Sequence, residues 1–258
     1  MTTLLIDADI LVYKAAYKFE YTWQGEAMAD EQGAYLYVDH TINQWMNTLG
    51  GTDAISCLSD SDNWRKSLFP DYKANRKQQK PMLYTAVRQY ISQNKKKCIR
   101  PQLEADDILG ILATSEDIIP GDKIVISSDK DLNTVPCYLF NPDKDRAPKL
   151  VTEEAAHRYH MLQTLMGDST DNYKGCPGVG PKKANQYLDC VDHEDYWFAV
   201  EAVFRCFGQC ENSALLNARL AKILTCKDYD FTKKTVKLWQ PVFSNSGMSL
   251  KDAYISSK

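Results

Sequence analysis

The sequence predicts an α/β fold in which helices cover both faces of a mostly parallel β-sheet. Three short apolar runs, at residues 3–6, 54–59 and 123–128, have the length and composition of buried strands. Segments with helical periodicity separate these runs, as parallel strands require. An aspartate directly follows each run, at Asp7, Asp60 and Asp129. Because ligands of such sheets bind beyond the carboxyl ends of the strands, we expect the three aspartates to share one crevice.

Helical patterns fill the intervals and dominate the second half of the chain. Apolar residues recur at helical spacing, Pro81 suits a first helical turn, and Thr152 suits an N-cap. These features predict helices at about residues 35–49, 81–94 and 103–114, and from 152 onward. After residue 160 we find no strand that ends in aspartate. We therefore predict an α/β core over residues 1–160 and a helical region over residues 161–258, where Asn245–Lys258 show little periodicity.

Composition limits the classes of protein that fit. The chain has 258 residues, 44% of them apolar, which is enough for one large domain or two modest ones. The sequence lacks an apolar run of bilayer length and a signal-peptide pattern, so we expect a cytoplasmic protein without membrane contact. Its eight cysteines are scattered, which favours free thiols. Cys206 and Cys210, with His193 upstream, leave a zinc site as the less favoured alternative.

A strongly basic segment interrupts an acidic chain. The net charge is −3, but residues 63–100 contain eleven Lys or Arg and one acid, Asp71. This segment therefore carries +10 and the remainder carries −13. Such asymmetry is typical of a protein that meets an anionic partner, for example nucleic acid. A solvated helical face is the plainer alternative.

Acidic residues recur at spacings that gather carboxylates. Pairs of acids that would project together lie at Glu104 and Asp107, at Asp129 and Asp131, and at Asp168 and Asp171. If these groups share a crevice, bound divalent cations are the natural relief of their repulsion. Oxygen ligands without His or Cys favour Mg²⁺ or Mn²⁺, and their number suits two ions that support phosphoryl chemistry. Helix caps or surface turns could explain any single acid, but they do not explain the whole set.

A glycine-rich turn follows the last acidic pair. Gly178 and Gly180 lie directly before a predicted helix that carries Lys182 and Lys183 near its start. Backbone N–H groups of such a turn can approach a phosphate, and the helix start adds positive potential. We interpret the turn as a grip on a nucleic-acid backbone, although a plain helix connection has the same local sequence.

Taken together, these motifs resemble the 5′-nuclease family of flap endonucleases and 5′→3′ exonucleases, in its compact bacteriophage form. The resemblance covers residues 4 to about 188 in family order, and nothing after about residue 190 is recognisable. The matching residues are Asp7-Ala-Asp9, Arg65, Pro70-Asp-Tyr72-Lys73-Ala-Asn-Arg76, Glu104-Ala-Asp106-Asp107, Ser128-Asp129-Lys-Asp131, Gly167-Asp168-Ser-Thr-Asp171-Asn172 and Gly178-Val-Gly180-Pro-Lys182.

The resemblance implies a Rossmann-like (PIN-like) core with a basic arch at about residues 64–97, and a helix–hairpin–helix region with its turn at about residues 172–188. It implies two Mg²⁺ ions, for which Mn²⁺ can substitute, and a K⁺ ion at the hairpin turn. The tighter metal site would comprise Asp7, Asp60, Glu104, Asp106 and Asp107, with Asp129 shared or nearby. The second site would comprise Asp131, Asp168 and Asp171. Asp62 competes for the position of Asp60, which we prefer because it directly follows a strand.

The resemblance also assigns catalysis and DNA contacts. Lys73, Arg76 and Asp129 would act in catalysis. DNA would contact Arg65, Tyr72, Lys73, Arg76, Lys77, Gly178, Gly180, Lys182 and Lys183, with Tyr72 stacking on a base. The expected monomer would hydrolyse DNA at or near 5′ ends, flaps, nicks or gaps, leaving 5′-phosphate and 3′-hydroxyl ends, in primer removal during replication or in DNA degradation.

Three alternatives remain open. Asp7 and Asp9 match the strand-end Asp-x-Asp of a class of phosphatases, although Ile10 follows where those enzymes usually have Gly-Thr. A module that holds DNA ends without cutting would be expected if a key acid were missing. A nuclease that acts on RNA or on an RNA–DNA hybrid fits the same acids.

Overall fold

The computed structural model describes residues 1–76 and 79–241. Its main strands are β1 (Thr2–Asp7), β4 (Asp53–Cys57), β5 (Lys97–Cys98), β6 (Asp122–Ile126), β7 (Cys137–Phe140) and β8 (Lys149–Val151). These six strands form one sheet in the order β5-β4-β1-β6-β7-β8. Every neighbouring pair is parallel except β7 and β8. The predicted α/β class with a mostly parallel sheet is therefore confirmed.

Helices and two small hairpins complete the described part of the chain. The helices are α1 (Ala8–Lys18), α2 (Glu31–Leu49), α3 (Arg65–Leu68), α4 (Tyr84–Asn94), α5 (Ala105–Ala113), α6 (Glu153–Met166), α7 (Pro181–Leu188), α8 (Tyr196–Cys206) and α9 (Glu211–Ala221). The hairpins pair β2 (Glu20–Trp23) with β3 (Glu26–Ala29), and β9 (Tyr229–Asp230) with β10 (Thr235–Val236). The second hairpin corrects the expectation that no strand after residue 160 ends in aspartate. Two-residue strands are too short to leave a periodic signal.

Caps in the sequence fix where several helices begin. Thr152 accepts a hydrogen bond from the backbone N–H of Ala155, as predicted for the start of α6. Pro181 occupies the first turn of α7, where its missing N–H costs nothing. Asp7 ends β1 and also caps α1, because its carboxylate accepts from the backbone N–H of Ile10. A residue at the carboxyl edge of the sheet is thereby held in place by the helix that follows it.

Alternating side chains of β1 supply two separate cores. Leu4 and Ile6 point to the face covered by α1, α2 and α4, and Leu5 points to the face covered by α5. A third core joins α6, α7, α8 and α9. Helix α6 runs without a break through residue 160, where we expected the boundary between the two regions. No helix among residues 1–76 and 79–241 is long and apolar enough to cross a membrane.

Candidate metal-binding active site

Asp7 lies at the centre of the carboxyl edge of the sheet. Its Oδ2 accepts a hydrogen bond of 2.7 Å from Ser127 Oγ, just beyond the neighbouring strand β6. The side chain is buried, and burial raises its pKa to about 7, with smaller contributions from the charges of Asp9 and Asp129. Burial also raises the pKa of Asp106 well above its usual value, assisted by the charge of Asp7. These acids are close enough to oppose one another's ionisation.

A pocket beyond the strand ends gathers acids from three further segments. They are Glu104 and Asp106 at the start of α5, Asp129 and Asp131 after β6, and Asp168 and Asp171 after α6. Burial raises the pKa of Asp131 to about 7, followed in importance by the charge of Asp129. Counting Asp7, the fold brings together seven carboxylates that the sequence predicted as metal ligands.

Two cations from the basic segment bind these acids. Lys73 Nζ contacts Glu104, and lies 3.6 Å from Asp171 Oδ2. Arg76 Nη2 donates to Asp171 Oδ1 at 2.6 Å. Burial alone would raise the pKa of Glu104, but the charges of Lys73 and Arg65 outweigh it and lower that pKa to about 2. Some acids of the site are thus buried with a raised pKa, and others are held in ion pairs.

The loop between α6 and α7 is shaped by two glycines. Gly167 and Gly175 both have positive φ, and a Cβ on either would lie 2.3 Å from backbone of the other's segment. Their contact closes a tight loop in which Asp168 and Tyr173 exchange backbone hydrogen bonds. Asp168 Oδ1 accepts from the backbone N–H of Thr170 at 2.7 Å. The glycines therefore position an acid that the sequence identified, through a contact that the sequence did not reveal.

Lys130 and Gln163 are site residues that sequence reasoning missed. Lys130 Nζ lies 3.0 Å from Asp168 Oδ2. Gln163 Nε2 donates to Asp131 Oδ1 at 2.5 Å from the buried face of α6. The position of Lys130 between two predicted ligands was the available signal for the first. No local signal marked the second.

Asp107 is not available as a metal ligand, which corrects our expectation. Its Oδ1 and Oδ2 each accept a hydrogen bond of 2.8 Å from the Arg65 guanidinium. Trp64 Nε1 and the backbone N–H of Leu224 also donate to the same carboxylate, at 3.0 and 3.2 Å. Asp107 is fully buried and its acceptors are used within the protein. The i, i+3 spacing of Glu104 and Asp107 correctly predicted a helix. The side chain of Asp107, however, lies in the core and does not reach the pocket.

Arg65 and Tyr72 are likewise buried, so the structure does not support their predicted contacts with DNA. Arg65 has no exposed surface. Tyr72 is 2% exposed, so its ring is not accessible for stacking on a base. Its hydroxyl donates to Asp171 Oδ2 at 2.7 Å and lies 3.1 Å from Glu104 Oε2. Both residues hydrogen-bond to acids of the pocket from the interior of the protein.

Asp60 does not line the pocket, contrary to our preference for it as a ligand. Its Oδ2 accepts from the backbone N–H of Gln102 at 2.8 Å, and this hydrogen bond is the main cause of its lowered pKa. Asp62 Oδ1 accepts from the backbone N–H of Asn63, so the competing residue is also used in a local turn. The chain bends after β4, and Ser59, not an acid, bonds the start of α5 through its hydroxyl.

The glycine-rich turn lies beside the acidic loop. Gly180 caps α7, and a Cβ there would meet nothing within 4 Å. Lys183 Nζ donates to the carbonyl of Gly178 at 3.0 Å, and Lys182 is exposed. One groove is lined by residues 166–170 and 172–174 and by Gly180 and Pro181. It shares Asp168, Thr170 and Tyr173 with the acidic pocket, so the turn and the pocket are continuous. Lys77, the remaining predicted DNA contact, lies outside the described residues.

The basic segment is less available to a partner than its charge suggested. Of its cations in the part of the chain that the structure describes, six pair with acids outside the segment, namely Arg65, Lys73, Arg76, Arg88, Lys95 and Lys96. Much of the +10 therefore neutralises the acidic remainder of the fold.

The cysteines form no disulfide in the described structure. All eight are free thiols, as predicted, and Cys206 and Cys210 are exposed. Among the described residues, no three His, Cys, Asp or Glu side chains are already arranged as a metal-binding cluster. For the pocket, the reason lies in the cations and backbone amides that its carboxylates contact.

Comparison with known proteins gives concordant matches. A family model described as the 5′-3′ exonuclease, N-terminal resolvase-like domain matches residues 2–157. An exonuclease of Escherichia phage T7 is 29% identical, with 92% of this chain and 93% of the relative covered. A flap endonuclease of Shewanella halifaxensis is 33% identical, with 52% of this chain and 58% of the relative covered.

A solved structure of a T5 5′-exonuclease mutant has the same fold, with a TM-score of 0.62. It is 13% identical, with 86% of this chain and 88% of that chain covered. The T5 5′-exonuclease with divalent zinc ions bound has a TM-score of 0.58 at 16% identity, with 86% of this chain and 89% of that chain covered.

Proposed function

The chain belongs to the 5′→3′ exonuclease family, and we propose that it is a metal-dependent nuclease that hydrolyses DNA phosphodiester bonds at or near 5′ ends. The observation that carries this proposal is the gathering of seven carboxylates at the carboxyl edge of a parallel sheet, in a pocket continuous with a glycine-rich helix start. The exonuclease of phage T7 matches along nearly the whole chain, which supports the same activity.

The donor set fits divalent ions of the Mg²⁺ type. The pocket lining is rich in carboxylate oxygens and includes no His or Cys, and hard cations prefer oxygen ligands. Asp7, Asp106 and Asp129 would hold one ion with Glu104, and Asp131, Asp168 and Asp171 would hold the second. The zinc-bound T5 5′-exonuclease supports metal binding in this fold. Two such ions supply charge stabilisation to the phosphate and activation of water.

Lys73 and Arg76 are placed to act on the phosphate. Both reach the pocket from the same short segment, and their present partners are Glu104 and Asp171. In the complex with substrate, these two cations would face the negative charge of the phosphate. We assign them to electrostatic stabilisation of the transition state. Attack of water on the phosphorus, with departure of the 3′ oxygen, leaves 5′-phosphate and 3′-hydroxyl ends.

The glycine-rich turn would hold the duplex next to the pocket. The open space at Gly180 lets a phosphate approach the first backbone N–H groups of α7, with Lys182 alongside. A K⁺ ion at this turn remains part of the proposal. We place the enzyme as a monomer in the cytoplasm of the cell whose DNA it processes, in primer removal or DNA degradation.

The test is cleavage of nicked, gapped, flapped and hybrid duplexes in Mg²⁺ or Mn²⁺. We expect 5′-phosphate products that a ligase accepts, and losses of at least about 100-fold for Asp129→Asn and Asp171→Asn. Asp117→Asn, at an exposed acid that does not line the pocket, is the matched control. Calorimetry of Mg²⁺ binding to the same variants gives a readout independent of turnover.

Each alternative predicts a different result in these assays. Release of phosphate from a small monoester, with no strand cleavage, would establish the phosphatase. Tight binding of DNA ends with all wild-type substrates intact would establish a binding module. Cleavage confined to the RNA strand of the hybrid would assign RNA as the substrate.

A further inference from the structure

Gln163 is a buried amide side chain that contacts one of the proposed metal ligands. It is 2% exposed and lies near the end of α6, which packs against the turn that follows β6. Its Nε2 donates to Asp131 Oδ1 at 2.5 Å. The opposite orientation of the amide would bring two oxygen atoms to this distance, so the nitrogen faces Asp131. A residue of the helical region thereby holds an acid of the α/β core.

The oxygen of the same amide lacks a partner. Among the described residues, none donates a hydrogen bond to Gln163 Oε1, although this atom is buried. Two donors close to Asp131 are already used, since Lys130 Nζ bonds Asp168 and Thr134 Oγ1 bonds the carbonyl of Asp131. An unpaired buried acceptor is unfavourable, so a native protein that retains one usually supplies a water or an ion for it. Gln163 Oε1 therefore calls for a donor from outside the chain.

This unpaired oxygen lies beside the proposed second metal site. Only one carbon atom separates Oε1 from the nitrogen that bonds Asp131, so both atoms lie close to this carboxylate. Asp131 lines the acidic pocket together with Asp168 and Asp171. Mg²⁺ usually keeps several of its waters in protein sites, and a water bound to a cation can donate hydrogen bonds but not accept them. A buried amide oxygen next to the carboxylates is a suitable acceptor for such a water.

The lack of charge on Gln163 suits this role. Three cations, Lys73, Arg76 and Lys130, pair with acids of the site, and their charge opposes the binding of a metal ion. Gln163 fixes the direction of Asp131 without cancelling its charge. Its hydrogen bond commits Oδ1 of that carboxylate and leaves Oδ2 as the oxygen for an ion. Outer-shell partners that orient ligands in this way typically contribute about 10- to 100-fold to metal affinity.

We propose that Gln163 is a positioning residue for the second divalent ion: it orients Asp131 through Nε2 and accepts a hydrogen bond from a water of the hydrated ion through Oε1. The proposal rests on the proposed function, because it takes Asp131 as a ligand of that ion. It assigns to α6 a direct contribution to metal affinity, in addition to its connection to the loop that carries Asp168.

Gln163→Met tests this role, because methionine has a similar length but lacks the amide donor and acceptor. Calorimetry of the full chain with MgCl₂, in the absence of DNA, should show that the affinity for one ion falls about tenfold. Urea unfolding in EDTA should give a midpoint no lower than that of the wild type, because the substitution also removes the unpaired acceptor. Gln44→Met, at an exposed position of α2, is the matched control and should change neither quantity.

A double-mutant cycle separates this role from a general effect on packing. Asp131→Asn removes a ligand of the same ion, so the addition of Gln163→Met to it should lower the Mg²⁺ affinity by less than about twofold. Losses that add would overturn the proposal, whatever the urea midpoint. A Mg²⁺ affinity of Gln163→Met within about twofold of the wild type would also overturn it, and would leave an ordinary buried water as the partner of Oε1.

The calorimetry and the cleavage assay distinguish the failure of this proposal from the failure of the proposed function. If Mg²⁺ binding depends on Gln163 as described but the wild type cuts no DNA, the role of Gln163 stands and the proposed function fails. If the wild type cuts DNA in Mg²⁺ and Gln163→Met keeps the wild-type Mg²⁺ affinity, the nuclease stands and the role of Gln163 is refuted.

Discussion

Replacing Asp107 should lower the free energy of unfolding more than replacing any exposed acid. The Arg65 guanidinium has no solvent contact, and two of its 2.8 Å hydrogen bonds go to this carboxylate. Asp107→Ala leaves that charge buried with Glu104 as its one carboxylate partner at 3.1 Å. Removal of one member of a buried ion pair typically costs about 3–5 kcal/mol, since the remaining charge is uncompensated.

Urea unfolding at pH 7.5 in EDTA measures this cost. We expect Asp107→Ala to lower the free energy of unfolding by about 3–5 kcal/mol, and Arg65→Met combined with Asp107→Leu to cost less than Asp107→Ala alone. Asp117→Ala, at an exposed acid, should change it by less than about 0.5 kcal/mol. A loss in Asp107→Ala as small as that of the control would refute the argument from burial.

A second substitution at Asp107 can distinguish a structural role of this residue from a role in metal binding. Asp107→Asn keeps the shape of the side chain and an acceptor for Arg65, while it removes the negative charge. Since Asp107 does not line the pocket, we expect the Mg²⁺ affinity of the Asp107→Asn variant to stay within about twofold of that of the wild type. A tenfold loss, equivalent to about 1.4 kcal/mol, would restore Asp107 to the ligand set.

Three further predictions concern other parts of the fold. Burial lowers the pKa of His160 to about 3, below the unfolded value of about 6.5, so the unfolded chain binds the proton first as the pH falls. In urea titrations, the stability advantage of the wild type over His160→Gln should therefore shrink by about 2 kcal/mol between pH 7.5 and 5. A constant difference would contradict this. Gly110→Ala should cost about 1–3 kcal/mol in thermal unfolding, because its Cβ would lie 2.3 Å from the carbonyl oxygen of Leu224, whereas Gly180→Ala, with open space, should unfold like the wild type. Lys182→Ala should reduce the slope of log affinity for nicked DNA against log salt by about one, and an unchanged slope would remove this lysine from the phosphate contacts.

The sequence predicted those parts of the site that depend on local pattern. Apolar runs followed by Asp7 and Asp129 were correctly placed at the edge of a parallel sheet, because pairing and crossover rules leave few alternatives. The same rule failed at Asp60, which two residues separate from the end of β4. A strand end fixes the edge on which a side chain lies, but the following turn decides its direction.

Residues whose partners are remote in sequence could not be assigned in advance. Arg65 donates to the carbonyl of Leu220, 155 residues away, and to that of Lys222. Leu220 lies in the last turn of α9 and Lys222 directly after this helix, and both lie past the last recognisable motif. A count of basic residues shows that a segment is positively charged, but it does not show that the acids of the same chain already bind six of its cations.

The segment after α9 makes the helical region part of the active-site architecture. Leu224 donates its backbone N–H to Asp107, and its carbonyl packs against Gly110, so both contacts bear on α5. Helix α5 begins next to Glu104 and carries Asp106, two acids of the pocket. Because Arg65 bonds Asp107 and Glu104 together, any shift of this segment is transmitted to a proposed ligand through a buried and rigid ion pair. Contacts of the segment after α9 therefore help to hold two of the pocket acids in place against their mutual repulsion.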